Sequence, residues 1–161
     1  WAGTEKFCGE FCHSMDVTYA AYKKGDHFRT SSGVTAGCSD CHLKNESNHF
    51  AGPIDYTALL IDKAIAGSKS LFGEIRGTMS TPEKQIEKRP EMANQQMIDR
   101  NFSACRGCHD VERMYDPKKP LIGAIHKGMG PNAEKKVDCL ACHPTAGHNY
   151  GYVIPFKAAA N

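Results

Sequence analysis

The chain of 161 residues has no apolar run long enough to cross a bilayer. Its longest unbroken aliphatic stretch is Ala58-Leu59-Leu60-Ile61, far short of the roughly 20 residues a spanning helix needs. Nothing at Trp1-Ala2-Gly3-Thr4 has the character of a signal h-region, so the sequence reads as a mature exported form or as one without its anchor. Charge of one dominant sign is also missing. The formal net charge is +2 and the pI about 8.1, and no basic patch carries interleaved aromatics, which argues against nucleic-acid binding. Long apolar periods are few, and with 15 glycines and 8 prolines one domain of this length has little material for an ordinary core. The stretch 51–104 holds neither cysteine nor histidine.

Outside that stretch cysteine and histidine are abundant, eight of each, and they are ordered. Cys105-Arg106-Gly107-Cys108-His109 sets two cysteines three apart with a histidine directly after. The pattern returns as Cys38-Ser39-Asp40-Cys41-His42, as Cys139-Leu140-Ala141-Cys142-His143, and with one extra residue as Cys8-Gly9-Glu10-Phe11-Cys12-His13. This is the spacing of covalent haem attachment: two thiols bond the two vinyl groups of one haem, and the adjacent histidine offers an axial nitrogen to the iron. Four disulfides would use the cysteines without requiring those histidines, and zinc sites place their histidines several residues apart. The sequence therefore predicts four haem c groups that consume all eight cysteines.

Four further histidines, His27, His49, His126 and His148, equal the irons in number and could each supply a second axial ligand. His27, His126 and His148 are the stronger candidates, and His49 is as readily a polar surface residue. The interior is then mostly porphyrin, and the chain should fold poorly without it. The expected fold is mainly α with much irregular structure, wrapped around the cofactors as one domain over 1–161.

Along the chain, residues 1–50 carry two sites. Asp16 to Lys24 has an uneven helical pattern that ends at Gly25 and leads to His27. In the connector, Ile54, Ala58, Ile61 and Ile65 recur at helical spacing, which predicts a helix ending near Gly67 with those residues packed inward. Thr81-Pro82-Glu83 reads as a helix start, and Pro90 either interrupts that helix or opens another at Glu91. Met92 and Met97 in it read as packing residues rather than ligands. Residues 105–148 repeat the two-site layout of the first fifty, which predicts duplicated dihaem units at about 8–50 and 105–148 joined by the helical connector 51–104. Asp116-Pro117-Lys118-Lys119-Pro120 and Gly128-Met129-Gly130-Pro131-Asn132 read as turns. Lys118, Lys119, Lys127, Lys135 and Lys136 make this side basic, either a solvated face or a docking surface for an acidic redox partner.

The four sites, the run Gly77-Thr78-Met79-Ser80-Thr81-Pro82-Glu83-Lys84 with Arg89 and Glu91-Met92-Ala93 after it, and His27 with Ser32-Gly33-Val34 resemble the NapC/NirT/NrfH tetrahaem cytochromes c over roughly residues 8–148. The resemblance implies a periplasmic electron carrier that draws on membrane quinol and passes electrons to a reductase or other redox protein. It implies His42 with His148 on haem 2, His109 with His27 on haem 3, and His143 with His126 on haem 4. On haem 1 it implies Met15, two residues after His13, as proximal ligand beside a quinol site that includes Lys63 and lies near Asp62. The chain departs from the family in three ways: no transmembrane helix, one extra residue in the first motif, and Ser70 where an acidic residue would accept a quinol proton. The other function left open is a soluble or self-assembling carrier with four bis-histidine haems and no quinol site, in which His49 or a neighbouring subunit closes haem 1.

Overall fold

Helix is the one kind of regular element among the residues described by a computed structural model of the chain, namely 4–43, 53–77, 89–129 and 138–151. The chain opens with a single π-helical turn, Phe7–Phe11, and a 3-10 turn, His13–Met15. Then come α1 Asp16–Tyr22, α2 Cys38–His42, α3 Pro53–Ile75, α4 Arg89–Asp99, α5 Ser103–Cys108, a 3-10 turn at Val111–Arg113, α6 Pro120–Lys127 and α7 Cys139–Cys142. The predicted mainly α class agrees with this, and the predicted helix start at Thr81 lies outside the described residues. None of the described helices is long and apolar enough to cross a membrane.

The connector helix corrects two expectations. It runs through Gly67 to Ile75, because a glycine inside a helix costs only about 1 kcal/mol and does not stop it unless the backbone turns left-handed. That turn comes at Gly77, with φ +63°, whose N–H donates to the Glu74 carbonyl at 3.0 Å, a common helix stop. Ile61 and Ile65 are not packed inward: they are 54% and 48% exposed. Lys63, Gly67, Ser70 and Glu74, spaced as one helical stripe, turn to the first cysteine site instead. Pro90 sits in the first turn of α4, where its missing N–H has no partner to lose. Met92, read as packing, is 60% exposed.

Helix α4 reverses into α5 through Asn101 and Phe102, both left-handed at φ +50° and +52°. Left-handed backbone costs an L-residue about 1–2 kcal/mol, and burial offsets it here, since Phe102 is only 1% exposed. Its N–H donates to the Met97 carbonyl at 2.8 Å. Beyond Phe102, the buried apolar residues among those described are Ala21 and Tyr22. The described residues thus bury very little apolar core of their own.

Tyr22 is the hub of the N-terminal part. Its hydroxyl donates toward the Ala36 carbonyl at 2.9 Å and Glu5 Oε1 at 3.2 Å, and its ring meets Phe28 edge-on at 5.2 Å. Burial, then the Glu5 charge, pushes its phenol well above the usual range. The segment after α7 lies along the end of α1: Asn149 N–H donates to the Ala21 carbonyl at 2.9 Å, Asp26 N–H to that of Thr145 at 3.5 Å, and Thr145 Oγ1 to Asp26 Oδ2 at 3.2 Å.

Candidate metal centres

Each cysteine pair rides on one short turn, since three residues in an α-helix bring two side chains to the same face. At the third and fourth sites the motif histidine ends the helix, and its N–H donates to the first cysteine's carbonyl: His109 to Cys105 at 2.8 Å, His143 to Cys139 at 3.0 Å. Asp138 caps α7, its Oδ1 accepting from Leu140 and Ala141, and Asp40 Oδ2 accepts from Gly37 N–H at 2.7 Å in front of α2. The first site differs. Its extra residue is taken up by the wider π turn Phe7–Phe11, the usual helical answer to a one-residue insertion. The chain then leaves the helix at Cys12, with φ −105° and ψ 104°, one residue earlier than at His109. Met15 N–H closes the following turn on the Cys12 carbonyl at 2.8 Å.

None of the eight cysteines is in a disulfide. Cys8 and Cys38 line one cavity, and the neighbouring Cys38 thiol lowers Cys8 to about 7, as that of Cys105 lowers Cys139. Cys41 is raised to about 11 by burial, then by the charges of Asp40 and Cys108. The first and second motifs share a cavity wall, with Cys8, Cys12, Cys38 and His42 lining it together, and α2 of the second motif packs against α5 of the third.

The structure brings six of the eight histidines together in pairs. The His27 and His109 rings lie 5.8 Å apart with their Nε2 atoms 3.5 Å apart. His42 and His148 are 6.0 Å apart, and His126 and His143 are 6.2 Å apart. His27 Nδ1 faces the Ala146 carbonyl at 2.6 Å, and His148 Nδ1 faces that of Thr18 at 3.1 Å. A carbonyl can only accept, so each Nδ1 carries the proton and each Nε2 keeps its lone pair, the tautomer that ligates metal. Burial, then His27 and His143, lowers His109, and burial lowers His148 against the opposing Thr18 carbonyl. Solvent still reaches one side of His42, yet the atoms crowded about its ring, then His148 and Arg100, push it down to about 4. For His42, His109 and His148 these effects favour the neutral imidazole, the form that binds iron.

The pairs fit haem iron. Imidazole nitrogens bind first-row metals at about 2.0–2.1 Å, so two on opposite faces of one ion stand about 4 Å apart, with ring centroids about 6 Å apart. Among the described residues no three His, Cys, Asp or Glu side chains converge as a zinc site would require. Of the other sequence candidates, His49 lies outside the described residues, and the His13 side chain is likewise not described. Met15 and Lys63 line a cavity of about 180 Å³ with Cys8, Cys12 and Ser70. Asp62, on the same helix, is not among the residues lining it.

Two arginines tie the pairs to the helices, and composition gave no signal for either. Arg106, inside the third motif, donates from Nη1 to the Met129 carbonyl at 2.6 Å and from Nε to that of Asn101 at 3.0 Å. Arg100 Nη1 donates to the His42 carbonyl at 3.1 Å. Gly25 allows the closest backbone approach: a Cβ there would stand 2.5 Å from the Gly147 carbonyl oxygen. Gly25→Ala is expected to push the 145–149 segment off α1, costing about 1–3 kcal/mol and loosening both histidine pairs that depend on Ala146 and His148. Thermal unfolding read at the haem absorbance checks this.

The NapC/NirT cytochrome c family, N-terminal region, matches residues 1–152. The chain is 34% identical over 151 residues to the denitrification system component NirT of Stutzerimonas stutzeri, covering 91% of this chain and 68% of NirT. It is 32% identical over 152 residues to the cytochrome c-type protein NapC of Escherichia coli K12, covering 91% and 69%. With the cytochrome c-type protein TorC of the same strain the identity is 32% over 148 residues, and the chain spans only 35% of TorC's own length. No solved structure matches. By its family match, its relatives and its cysteine motifs, the chain belongs to the NapC/NirT cytochromes c and is a multihaem electron-transfer protein.

Proposed function

We propose that the chain is a periplasmic tetrahaem cytochrome c that accepts electrons from membrane quinol beside its first site and delivers them from its fourth to a periplasmic reductase or other redox protein. The observation that carries this reading is the set of three facing histidine pairs, His27 with His109, His42 with His148 and His126 with His143, whose ring centroids stand 5.8, 6.0 and 6.2 Å apart, each pair including the histidine of one cysteine motif.

On this reading each cysteine pair holds one haem c. His42 with His148, His109 with His27, and His143 with His126 would hold the irons of sites two, three and four. Haem supplies one-electron chemistry whose potential depends on ligands, hydrogen bonds and burial. The protein's residues supply geometry: the Ala146 and Thr18 carbonyls hold the His27 and His148 rings so that Nε2 points inward. Met15 would hold the iron at site one, and the cavity it lines would admit quinol. Lys63 lines the cavity there and orients a quinol oxygen by hydrogen bonding, with Asp62 beside it in sequence. Ser70 on that wall is too weak a base to take a quinol proton near neutral pH.

Low-temperature electron paramagnetic resonance of the oxidised protein tests this. One high-spin or otherwise distinct haem beside three bis-histidine low-spin haems is expected. Four equivalent low-spin haems would instead assign the chain as a soluble or self-assembling carrier, with His49 or a neighbouring copy's histidine completing site one.

A further inference from the structure

Helix α3 and the first haem motif are distant in sequence, yet one hydrogen bond joins them. Ser14 N–H donates to Glu74 Oε1 at 3.1 Å across 60 residues. Ser14 is the middle residue of the 3-10 turn His13–Met15, between the two candidate ligands of site one, and only 4% exposed. Glu74 is half-buried in the last turn of α3, on the stripe that brings Lys63, Gly67 and Ser70 to the cavity wall.

The turn needs such an anchor. At the third and fourth sites the histidine N–H is held by the first cysteine's carbonyl, so the position of the ring follows from the helix. At the first site the backbone leaves the helix at Cys12, and the turn's internal bond runs from Met15 to Cys12. Ser14 N–H is directed to the carboxylate. A short turn closed by one hydrogen bond can rotate about its ends, and a rotation of one residue would exchange Met15 for His13 at the iron.

We infer that Glu74 is the positioning residue of site one: its carboxylate, by accepting from Ser14 N–H, fixes the His13–Met15 turn so that Met15 meets the iron. The acceptor oxygen and its reach do this, not the charge. The inference rests on the reading of site one as a methionine-ligated haem.

Three variants of the haem-loaded protein separate these factors. Glu74→Gln keeps an acceptor oxygen at the same reach without charge. Glu74→Asp keeps the charge but withdraws it by one methylene. Glu74→Ala removes both. After haem content per chain is matched by absorbance, paramagnetic resonance of each variant is compared with the unmodified protein. The signal of the one distinct haem is expected to be kept in Glu74→Gln and to be lost or moved to a histidine-ligated signature in Glu74→Asp and Glu74→Ala. Should Glu74→Ala fail to mature, the Gln and Asp variants decide alone. A Glu74→Asp signal identical to that of the unmodified protein overturns the inference. So does a Glu74→Gln signal that shifts with the others, since charge would then be the cause. Four equivalent haems in the unmodified protein overturn the methionine reading and the inference together, a result visible before any variant is made.

Discussion

Replacing His27 by alanine is expected to turn one of the three low-spin haems high-spin and to leave haem content unchanged. The His27 Nε2 stands 3.5 Å from that of His109, and its Nδ1 is committed to the Ala146 carbonyl, so on the proposed ligation the ring has no other task than to close site three. The haem stays attached through Cys105 and Cys108, which the substitution does not touch. On the proposed path from site one to site four, reduction of site four by electrons entering at site one should slow sharply, while the first two sites fill as before. Added imidazole should enter the vacated position and restore the low-spin signal, as a purely structural defect would not allow. Paramagnetic resonance with and without imidazole checks both halves, and a His27→Ala protein with all its low-spin haem intact would falsify the ligand assignment.

The second large effect concerns the chain without haem, which is expected to show no cooperative unfolding at all. A fully buried large apolar side chain contributes about 1.5–3 kcal/mol, and fixing the backbone of one residue costs about 1–2 kcal/mol. Ala21, Tyr22 and Phe102 are the buried apolar residues among those described, enough to order only a few positions. Leu121, Ile122 and Ile125 on α6 are exposed at 73%, 45% and 47%, on the helix that carries His126. If covalent porphyrin supplies the missing core, then chain produced without haem should lose the whole of the ~5–15 kcal/mol that a folded domain commonly has. Urea titration followed by far-ultraviolet circular dichroism decides it: a steep, two-state transition in haem-free chain would show that the peptide carries its own core.

What could be read from the sequence divides along a physical line. Attachment of one haem needs contiguous residues, so the four motifs are visible in any reading of spacing. Pairing of histidines is a long-range matter. His27 and His109 meet across 82 residues, and nothing in composition or periodicity assigns one to the other; the family resemblance did, and the structure brings the same three pairs together. Helix α3 shows where local signals mislead. Gly67 read as a stop because glycine is a poor helix former, but the true stop is Gly77, whose left-handed φ of +63° cannot be seen in sequence. Ile61 and Ile65 suggested an inward face, whereas the cavity lies on the side of Lys63 and Ser70. The extra residue at Cys8 breaks the regular motif spacing, and the π turn takes it up locally. The Ser14 to Glu74 bond joins residues of no recognisable pattern and could not have been found without coordinates.

The histidine pairs have a consequence for the topology of the chain. Two of the three join the first half to the second: His27 to His109, and His42 to His148. With an iron shared at each, these contacts act as cross-links, each closing a loop of about 100 residues, for which chain-entropy reasoning gives about 4–5 kcal/mol of restraint on the unfolded ensemble. The third pair, His126 and His143, closes a much shorter loop and restrains far less. Neither dihaem half is then a free-standing module, since each lends the other an imidazole. The chain behaves less like two beads on a string than like a buckled strap, in which either half released alone would lose an axial ligand from what it keeps.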